Sequence, residues 1–380
     1  MGAPDRPARI GALDALRGLI MALMALDHTR IFFFGLTPNP TDLDATTPAL
    51  FATRWITHLC APGFVLLAGV SARLQHAHRP KGQLARRLAL RGAMLVLLEL
   101  TVISFGWIPD PMRSFVLLQV IWAIGWSMIL LAGLIALLPD LWIGALGLAL
   151  AALHPLLSDA ALAAGLPDWL RILAFDANAT LSPWPGGTFI ISYPVLPWAG
   201  VMTAGYGLGR AVLNAPQGWP RQAAWLGLAL VVGFAVSRAV GLAPDPTGWT
   251  PAEGMLAFFN ARKYPPSPAF LAITLGLVLL IAAGLARMGE GLWSRALLPL
   301  GAAPLFFYIL HLYALRIVGL SAAVLVWGIA QIGPPPLRSA PEWPLWAVWG
   351  IWAAALPVLF WPTAWFARYK RRRGGWTGYF

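Results

Sequence analysis

The chain has 380 residues, of which 59% are hydrophobic and only 11% charged, against about 25% charged in an ordinary soluble domain. Its mean hydropathy is +0.70, more apolar surface than a soluble core can hide, so the composition indicates an all-α polytopic membrane bundle, read as one domain over residues 1–380. The net charge of +12 would suit nucleic acid, but its distribution assigns it to membrane topology, and no nucleic-acid partner is expected.

Apolar runs long enough to cross roughly 30 Å of hydrocarbon, about 20 residues each, are expected near residues 12–36, 55–74, 88–108, 115–138 and 141–157. Five more follow near 189–213, 222–242, 268–287, 297–327 and 344–366, giving about ten transmembrane helices. No cleavable signal peptide is expected, because the first run starts near Ile10, contains Asp14, Arg17, Asp27 and His28, and lacks a small-residue cleavage pattern.

Alternate connections hold Arg6 and Arg9, then Arg79, Lys81, Arg86, Arg87 and Arg91, then Arg210 and Arg221, then Arg287 and Arg295, then Lys370, Arg371, Arg372 and Arg373. The opposite connections hold Arg54, Arg113, Arg171, Arg262, Lys263 and Arg338, offset by acids that include Asp110 and Asp245. Because cytoplasmic loops carry the excess of Lys and Arg, both termini are expected in the cytoplasm, with the chain in a bacterial inner membrane. The longer outer connections, near 158–188 and 242–267, are rich in Pro, Gly and Asp and read as turns and loops.

Other features read as structural. Trp55, Trp107, Trp142, Trp198, Trp343, Trp346 and Trp365 stand near expected span ends, as in interfacial belts. Gly205 and Gly209, flanked by Gly200 and Gly207, have the spacing that lets helices approach closely. Cys60 is the sole cysteine, so it forms no intramolecular disulfide and reads as a small buried hydrophobe. His154 is expected at the outer interface. His76 and His78 lie in a basic connection without a third ligand nearby, and no metal site is expected.

Charged residues inside spans cost about 2.5–3.5 kcal/mol each on insertion scales and tend to mark a pathway or a reaction site. In the first span Asp27 and Arg30 are three apart and can pair on one helix face, while His28 points elsewhere. His58 follows Arg54 by one turn in the second span, Glu99 lies just beyond the middle of the third, and His311 is central in the ninth. Asp27, His28, His58, Glu99 and His311 can therefore share one layer, provided their helices are neighbours. For Glu99 and His311 a buried hydrogen bond that fixes helix packing is an equal alternative.

Arg17 precedes His28 by eleven residues, a rise of about 16 Å along a helix and close to the reach of an extended pantetheine arm. An arginine fork suits a phosphate, and an imidazole suits proton transfer at neutral pH. The run ARKYPPSP combines Arg262, Lys263 and Tyr264 with rigid prolines and an N-cap at Ser267, and reads either as a stiff basic entrance before the eighth span or as a plain positioned loop.

The first span, RIGALDALRGLIMALMALDH, resembles the opening helix of the heparan-alpha-glucosaminide N-acetyltransferase family and its bacterial relatives. The runs RWITHLCAPGFVLLAGVSA, LLELTV, IWAIGWSMILL, YPVLPWAGVMTAGYGLG, KYPPSP and PLFFYILHLY extend that resemblance over most of the chain. The Arg17 to His28 spacing is also similar to the Arg-x10-His pattern of a wider group of membrane acyltransferases. The resemblance implies transfer of an acyl group from cytosolic acetyl-CoA or another acyl-CoA to an acceptor across the membrane, with Arg17 at the cytoplasmic end and His28 at the reaction centre. The heparan enzymes differ in having asparagine at the position of His28 and their catalytic histidine eleven residues later, where this chain has Asn39. No counterpart of their large segment before the first span is expected, and heparan itself is not expected as the substrate.

The expected activity is that of an acyl-CoA-dependent acyltransferase with His28, Glu99 and Asp27 as catalytic residues and Arg17 as the acyl-CoA anchor. Arg30, His58, Lys263, Tyr264 and His311 are expected to meet the acceptor, an amine or hydroxyl of a glycan or similar molecule. Expected partners are acyl-CoA, that acceptor, membrane lipid and a second copy in a homodimer. The rival expectation is a proton-coupled secondary transporter of a small solute, which also needs buried Asp, Glu and His residues.

Overall fold

The computed structural model describes residues 8–241, 249–289, 291–328 and 343–373. Arg6, Asp245 and Arg338, used above for topology, lie outside the described residues. In chain order the helices are α1 (Ala8–Thr29), α2 (Pro48–Thr57), α3 (Cys60–His76), α4 (Lys81–Leu98), α5 (Ser104–Trp107), α6 (Val120–Leu137), α7 (Asp140–Ala163) and α8 (Asp168–Ala174). They continue as α9 (Val195–Asn214), α10 (Trp219–Ala239), α11 (Gly254–Phe259), α12 (Pro268–Met288), α13 (Leu292–Ala302), α14 (Pro304–Trp327) and α15 (Leu345–Arg373). Three short strands, β1 (Phe115–Leu118), β2 (Ala179–Trp184) and β3 (Gly187–Ile191), complete the fold.

Among the described residues, eight helical stretches are long and apolar enough to cross a membrane, and the protein is an all-α, multi-pass membrane bundle. The stretches are α2 with α3, α4 with α5, α6, α7, α10, α12, α14 and α15. The other two expected spans correspond to α1, which carries Arg9, Asp14, Arg17 and Asp27, and to the glycine-rich α9. Four expected spans differ in detail, the fourth because residue 115 lies in β1 and its helix α6 begins only at Val120. The second breaks at His58 and Leu59, between α2 and α3. The sixth does not begin at residue 189, which lies in β3, but at Val195 after Pro194. The ninth is divided between α13 and α14 at Ala303, because Pro304 starts a new helix at its first position.

The chain folds as two compact units, residues 1–60 with 281–380, and residues 61–280. In the first, α1 packs against α2, α13, α14 and α15. The α1–α13 crossing is built on glycine: a Cβ on Gly18 would stand 2.0 Å from the Leu297 carbonyl oxygen, and one on Gly301 would stand 1.8 Å from that of Asp14. Only two bare backbones fit there. Cys60 is buried and its thiol donates to the Ile20 carbonyl at 3.6 Å.

In the second unit the Gly205 and Gly209 spacing packs as expected. Cβ atoms there would meet the Leu66 carbonyl oxygen at 2.3 Å and the Arg73 Cβ at 2.6 Å, so α9 lies directly on α3. The opposite side of α9 meets α7 through Gly144 and Gly207. The segment expected as loop over 158–188 contains the end of α7, all of α8, β2 and the start of β3. The strands form one small sheet in the order β1-β3-β2, with β1 parallel to β3 and β2 antiparallel to it. Val116, Leu118 and Ile191 bury one face of it on Trp122. Before β1, some desolvation raises the Asp110 carboxyl, but N–H groups of Ser114, Met112 and Phe115 outweigh it and hold the group below the usual carboxylate range.

Trp198 and Trp107 are buried rather than interfacial, whereas Trp142, Trp346 and Trp365 are exposed. His154 is also buried, its Nδ1 donating to the Ala151 carbonyl at 3.2 Å, so it is a core residue of α7 rather than an interfacial one.

Candidate active site

In the first unit the chemistry-bearing residues converge where α1 passes into a π-helical turn over Arg30–Phe34. The turn inserts an extra residue and closes at Gly35, whose φ of 99° is a backbone state that favours glycine. The Gly35 amide reaches back to the Arg30 carbonyl at 3.1 Å, and the Arg30 guanidinium donates to the Gly35 carbonyl at 3.4 Å. The turn is thus clamped from both ends.

His28 and His311 are buried and meet edge to edge, one from α1 and the other from α14. His28 Nδ1 and His311 Nε2 are 2.7 Å apart, and the ring planes lie within 14° of each other. His311 Nδ1 is 2.7 Å from the Phe307 carbonyl oxygen, one turn earlier on α14. That oxygen can only accept, so His311 Nδ1 carries a proton. In the neutral pair His311 Nε2 is then the acceptor, His28 Nδ1 donates to it, and His28 Nε2 is left as the basic nitrogen. Phe307 stacks on His311 at 5.0 Å, and Tyr308 meets the His28 ring edge-on at 5.9 Å. These aromatic walls restrict both imidazoles to one orientation.

Asp27, beside this pair, accepts from Arg30 Nη2 at 3.2 Å and from Arg54 Nη1. The expected pairing of Asp27 with Arg30 is present, and Arg54 adds a second cation from α2. The single carboxylate thereby fixes the end of α1 to α2. His58, four residues after Arg54, is buried at the joint of α2 and α3, and its amide donates to the Trp55 carbonyl at 3.0 Å. Asn39, exposed, accepts from the amide and hydroxyl of Thr41 at 3.1 Å and 3.0 Å and so caps a local turn.

Arg17 lies eleven residues before His28 on α1. Its Nη1 donates to Asp14 Oδ1 at 2.6 Å and to the Gly301 carbonyl at 3.3 Å. Lys370 Nζ donates to the neighbouring Ala302 carbonyl at 3.1 Å. Two cations therefore gather at the carboxyl end of α13, where the helix dipole favours positive charge.

The remaining expected residues belong to the second unit. Glu99 is fully buried at the start of a π-helical turn over Glu99–Ile103. Its Oε1 accepts from the Gln119 amide at 3.0 Å and its Oε2 from the Trp122 amide at 3.2 Å. It thus caps the first turn of α6 from another helix, which is the packing alternative for this residue. Lys263 and Tyr264 stand with Tyr193: Lys263 Nζ is 5.1 Å and 5.8 Å from the Tyr264 and Tyr193 ring centroids, and the two phenol oxygens are 3.3 Å apart.

One polar cluster of the second unit has no counterpart in the sequence reading. Arg73 donates to Asp140 and to Tyr206 at 3.2 Å, Lys81 pairs with Asp140 at 3.1 Å, and His76 Nδ1 is 2.6 Å from the Tyr206 hydroxyl. His76 is the last residue of α3 rather than part of a loop. The only signal in the sequence was Arg73 three residues before His76, because Asp140 and Tyr206 are distant along the chain.

No curated protein matches the chain at a significant level. The family model described as heparan-alpha-glucosaminide N-acetyltransferase, catalytic, matches residues 9–235. That segment includes Arg17, Asp27, His28, Arg30, His58 and Glu99 and ends within α10, so Lys263, Tyr264 and His311 lie beyond it. Because the match covers more than half of the 380 residues, the chain belongs to the transmembrane heparan-alpha-glucosaminide N-acetyltransferase family.

Proposed function

We propose that the protein transfers an acetyl or other acyl group from cytosolic acyl-CoA to an amine or hydroxyl of a glycan or similar acceptor on the outer side of a bacterial inner membrane. The observation that carries this reading is the ordered chain Phe307 carbonyl, His311, His28, which leaves a basic Nε2 on a buried imidazole of the family's matched segment. In the reaction His28 Nε2 takes the proton from the acceptor N–H or O–H as that atom attacks the thioester carbonyl. The carbon–sulfur bond breaks, and the thiolate of CoA leaves and recovers a proton from the imidazolium. His311 steadies the imidazolium through the opposite nitrogen, the role that an orienting group has in nucleophile–base systems. A two-step route through an acyl group on the same Nε2 uses the same residues.

Asp27, Arg30 and Arg54 hold the end of α1 so that His28 keeps its orientation, and Glu99 keeps a packing role, capping the start of α6. Arg17, about 16 Å along α1 from His28, exchanges Asp14 for a phosphate of the donor. His58, Lys263 and Tyr264 meet the acceptor. Radiolabelled acyl transfer by the purified protein tests the reading. Turnover that His28→Ala leaves unchanged overturns the assignment of the base, and absence of any acyl-CoA binding overturns the activity.

A further inference from the structure

Lys263 is only 8% exposed, yet among the described residues no carboxylate pairs with it. Other carboxylates of its unit are engaged elsewhere: Glu99 by two backbone amides, Asp110 by the loop before β1, Asp140 by Arg73 and Lys81, Asp168 and Asp176 by Arg171, and Glu253 by Thr250, while Asp159 is exposed. Its nearest recorded company is aromatic. Tyr193 and Tyr264 place their rings around the ammonium, and Trp198 backs Tyr193 at 5.3 Å between centroids. A buried ammonium is retained when something compensates its charge, and two ring faces compensate it only in part.

The surrounding backbone adds positive potential. The Ser267 amide donates to the Arg262 carbonyl at 2.8 Å, and Lys263 bridges Pro266, so residues 262–267 fold tightly back on themselves. This places the Lys263 backbone at the amino end of α12, a helix of 21 residues whose N-cap is Ser267, with the hydroxyl accepting from the Phe270 amide at 3.1 Å. Helix amino ends attract anions. The phenol hydroxyls of Tyr193 and Tyr264, 3.3 Å apart, share one hydrogen bond, and Tyr264 and Arg262 are partly exposed, which connects the cluster to the surface.

We propose that Lys263, Tyr193 and Tyr264, at the amino end of α12, form a binding site for an oxyanion, a carboxylate or phosphate borne by a ligand. The inference deepens the acceptor-side reading given above for Lys263 and Tyr264. The anion has two chemical sources, a charged substituent of the acceptor or a lipid headgroup, and the measurement distinguishes them.

Full-length protein in nanodiscs of phosphatidylcholine is titrated with sodium glucuronate, with inorganic phosphate and with neutral glucose, with thermal unfolding as the readout, and the unfolding is repeated in nanodiscs containing phosphatidylglycerol. The expected result is saturable stabilisation by glucuronate or phosphate and not by glucose. The midpoint concentration should rise at least tenfold in Lys263→Met and stay within about threefold in Lys263→Arg. Stabilisation confined to phosphatidylglycerol nanodiscs and lost in Lys263→Met supports the site with lipid as its source. No stabilisation by any anionic probe, or stabilisation equal in Lys263→Met, overturns the proposal. Should Lys263→Met fail to fold, amine-reactive labelling of Lys263 in the wild-type protein decides: the anion that binds must slow it, and unchanged labelling overturns the site. Binding is read without turnover, so its failure is distinguishable from a failure of acyl transfer.

Discussion

His311 presents Nε2 to His28 Nδ1 at 2.7 Å while its own Nδ1 proton is committed to the Phe307 carbonyl. The fixed tautomer of one histidine therefore dictates which nitrogen of the other is basic. A glutamine in place of His311 can still offer a carbonyl oxygen to His28 Nδ1, whereas a phenylalanine offers none.

His28→Ala is therefore expected to lower kcat by about 10²–10⁴-fold, the usual contribution of a positioned base. His311→Phe should lose much of the same factor, and His311→Gln should recover part of it. Steady-state kinetics on folded, size-homogeneous protein check the ordering. Equal activity of the Gln and Phe variants would remove His311 from the orienting role.

The carboxylate of Asp27 serves two guanidiniums, Arg30 and Arg54. Its replacement by asparagine leaves a buried Arg30 and a partly buried Arg54 with reduced compensation, a change that approaches about 3–5 kcal/mol where a buried pair is broken. Asp27→Asn should lower the unfolding midpoint in detergent markedly, and Arg54→Met on the Asp27→Asn background should cost less than on the wild type. A double-mutant cycle with additive losses would show that Asp27 and Arg54 are not coupled.

At the α1–α13 crossing, Gly18 faces the Leu297 carbonyl and Gly301 faces that of Asp14, both closer than any Cβ tolerates. Gly18→Ala must push the two helices apart, an overpacking cost of about 1–3 kcal/mol or more. Gly11, which a Cβ would leave with nothing within 4 Å, provides the control, since Gly11→Ala should be neutral or slightly stabilising. A comparison of thermal midpoints tests the pair.

Hydropathy revealed where the long helices lie, because a lipid-facing span needs about 20 apolar residues whatever its neighbours are. It could not reveal breaks within an apolar run: α13 and α14 read as one span, since Pro299 and Pro304 are both apolar and only the latter ends a helix. Strand β3 shares its apolar residues with the start of α9 and was absorbed into that span, and the sheet depends on the pairing of Phe115 with Thr188, far apart in sequence. Depth within the spans singled out His28 and His311, but their contact belongs to the packing of α1 on α14. Arg54 carried a local signal, one turn before His58, and its partner Asp27 became evident only once α1 and α2 were side by side.

Glu99 illustrates how a buried acid divides between chemistry and packing. Both oxygens accept from amides at the start of α6, so Glu99→Ala leaves two buried donors unpaired, at about 1–3 kcal/mol each. Glu99→Gln keeps one acceptor and turns its amide group toward the other N–H, so it should recover only part of that stability. The expected signature is a fall in unfolding midpoint with kcat per folded molecule and its pH profile unchanged, whereas a base or acid would move the profile.

Arg17 carries a distinct prediction because its partner, Asp14, is itself an anion on the preceding turn of α1. In the proposed binding step a phosphate of acyl-CoA must displace that carboxylate, so Asp14 competes with the donor for one guanidinium. Arg17→Gln should raise the KM for acyl-CoA with little change in kcat, the pattern for loss of an interaction made equally in ground and transition states. Asp14→Asn should lower the same KM, since the fork is no longer occupied by a full negative charge. A rise in KM with Asp14→Asn would mean that the carboxylate holds Arg17 in its binding position rather than competing for it, and unchanged KM in both variants would place the donor's phosphates elsewhere.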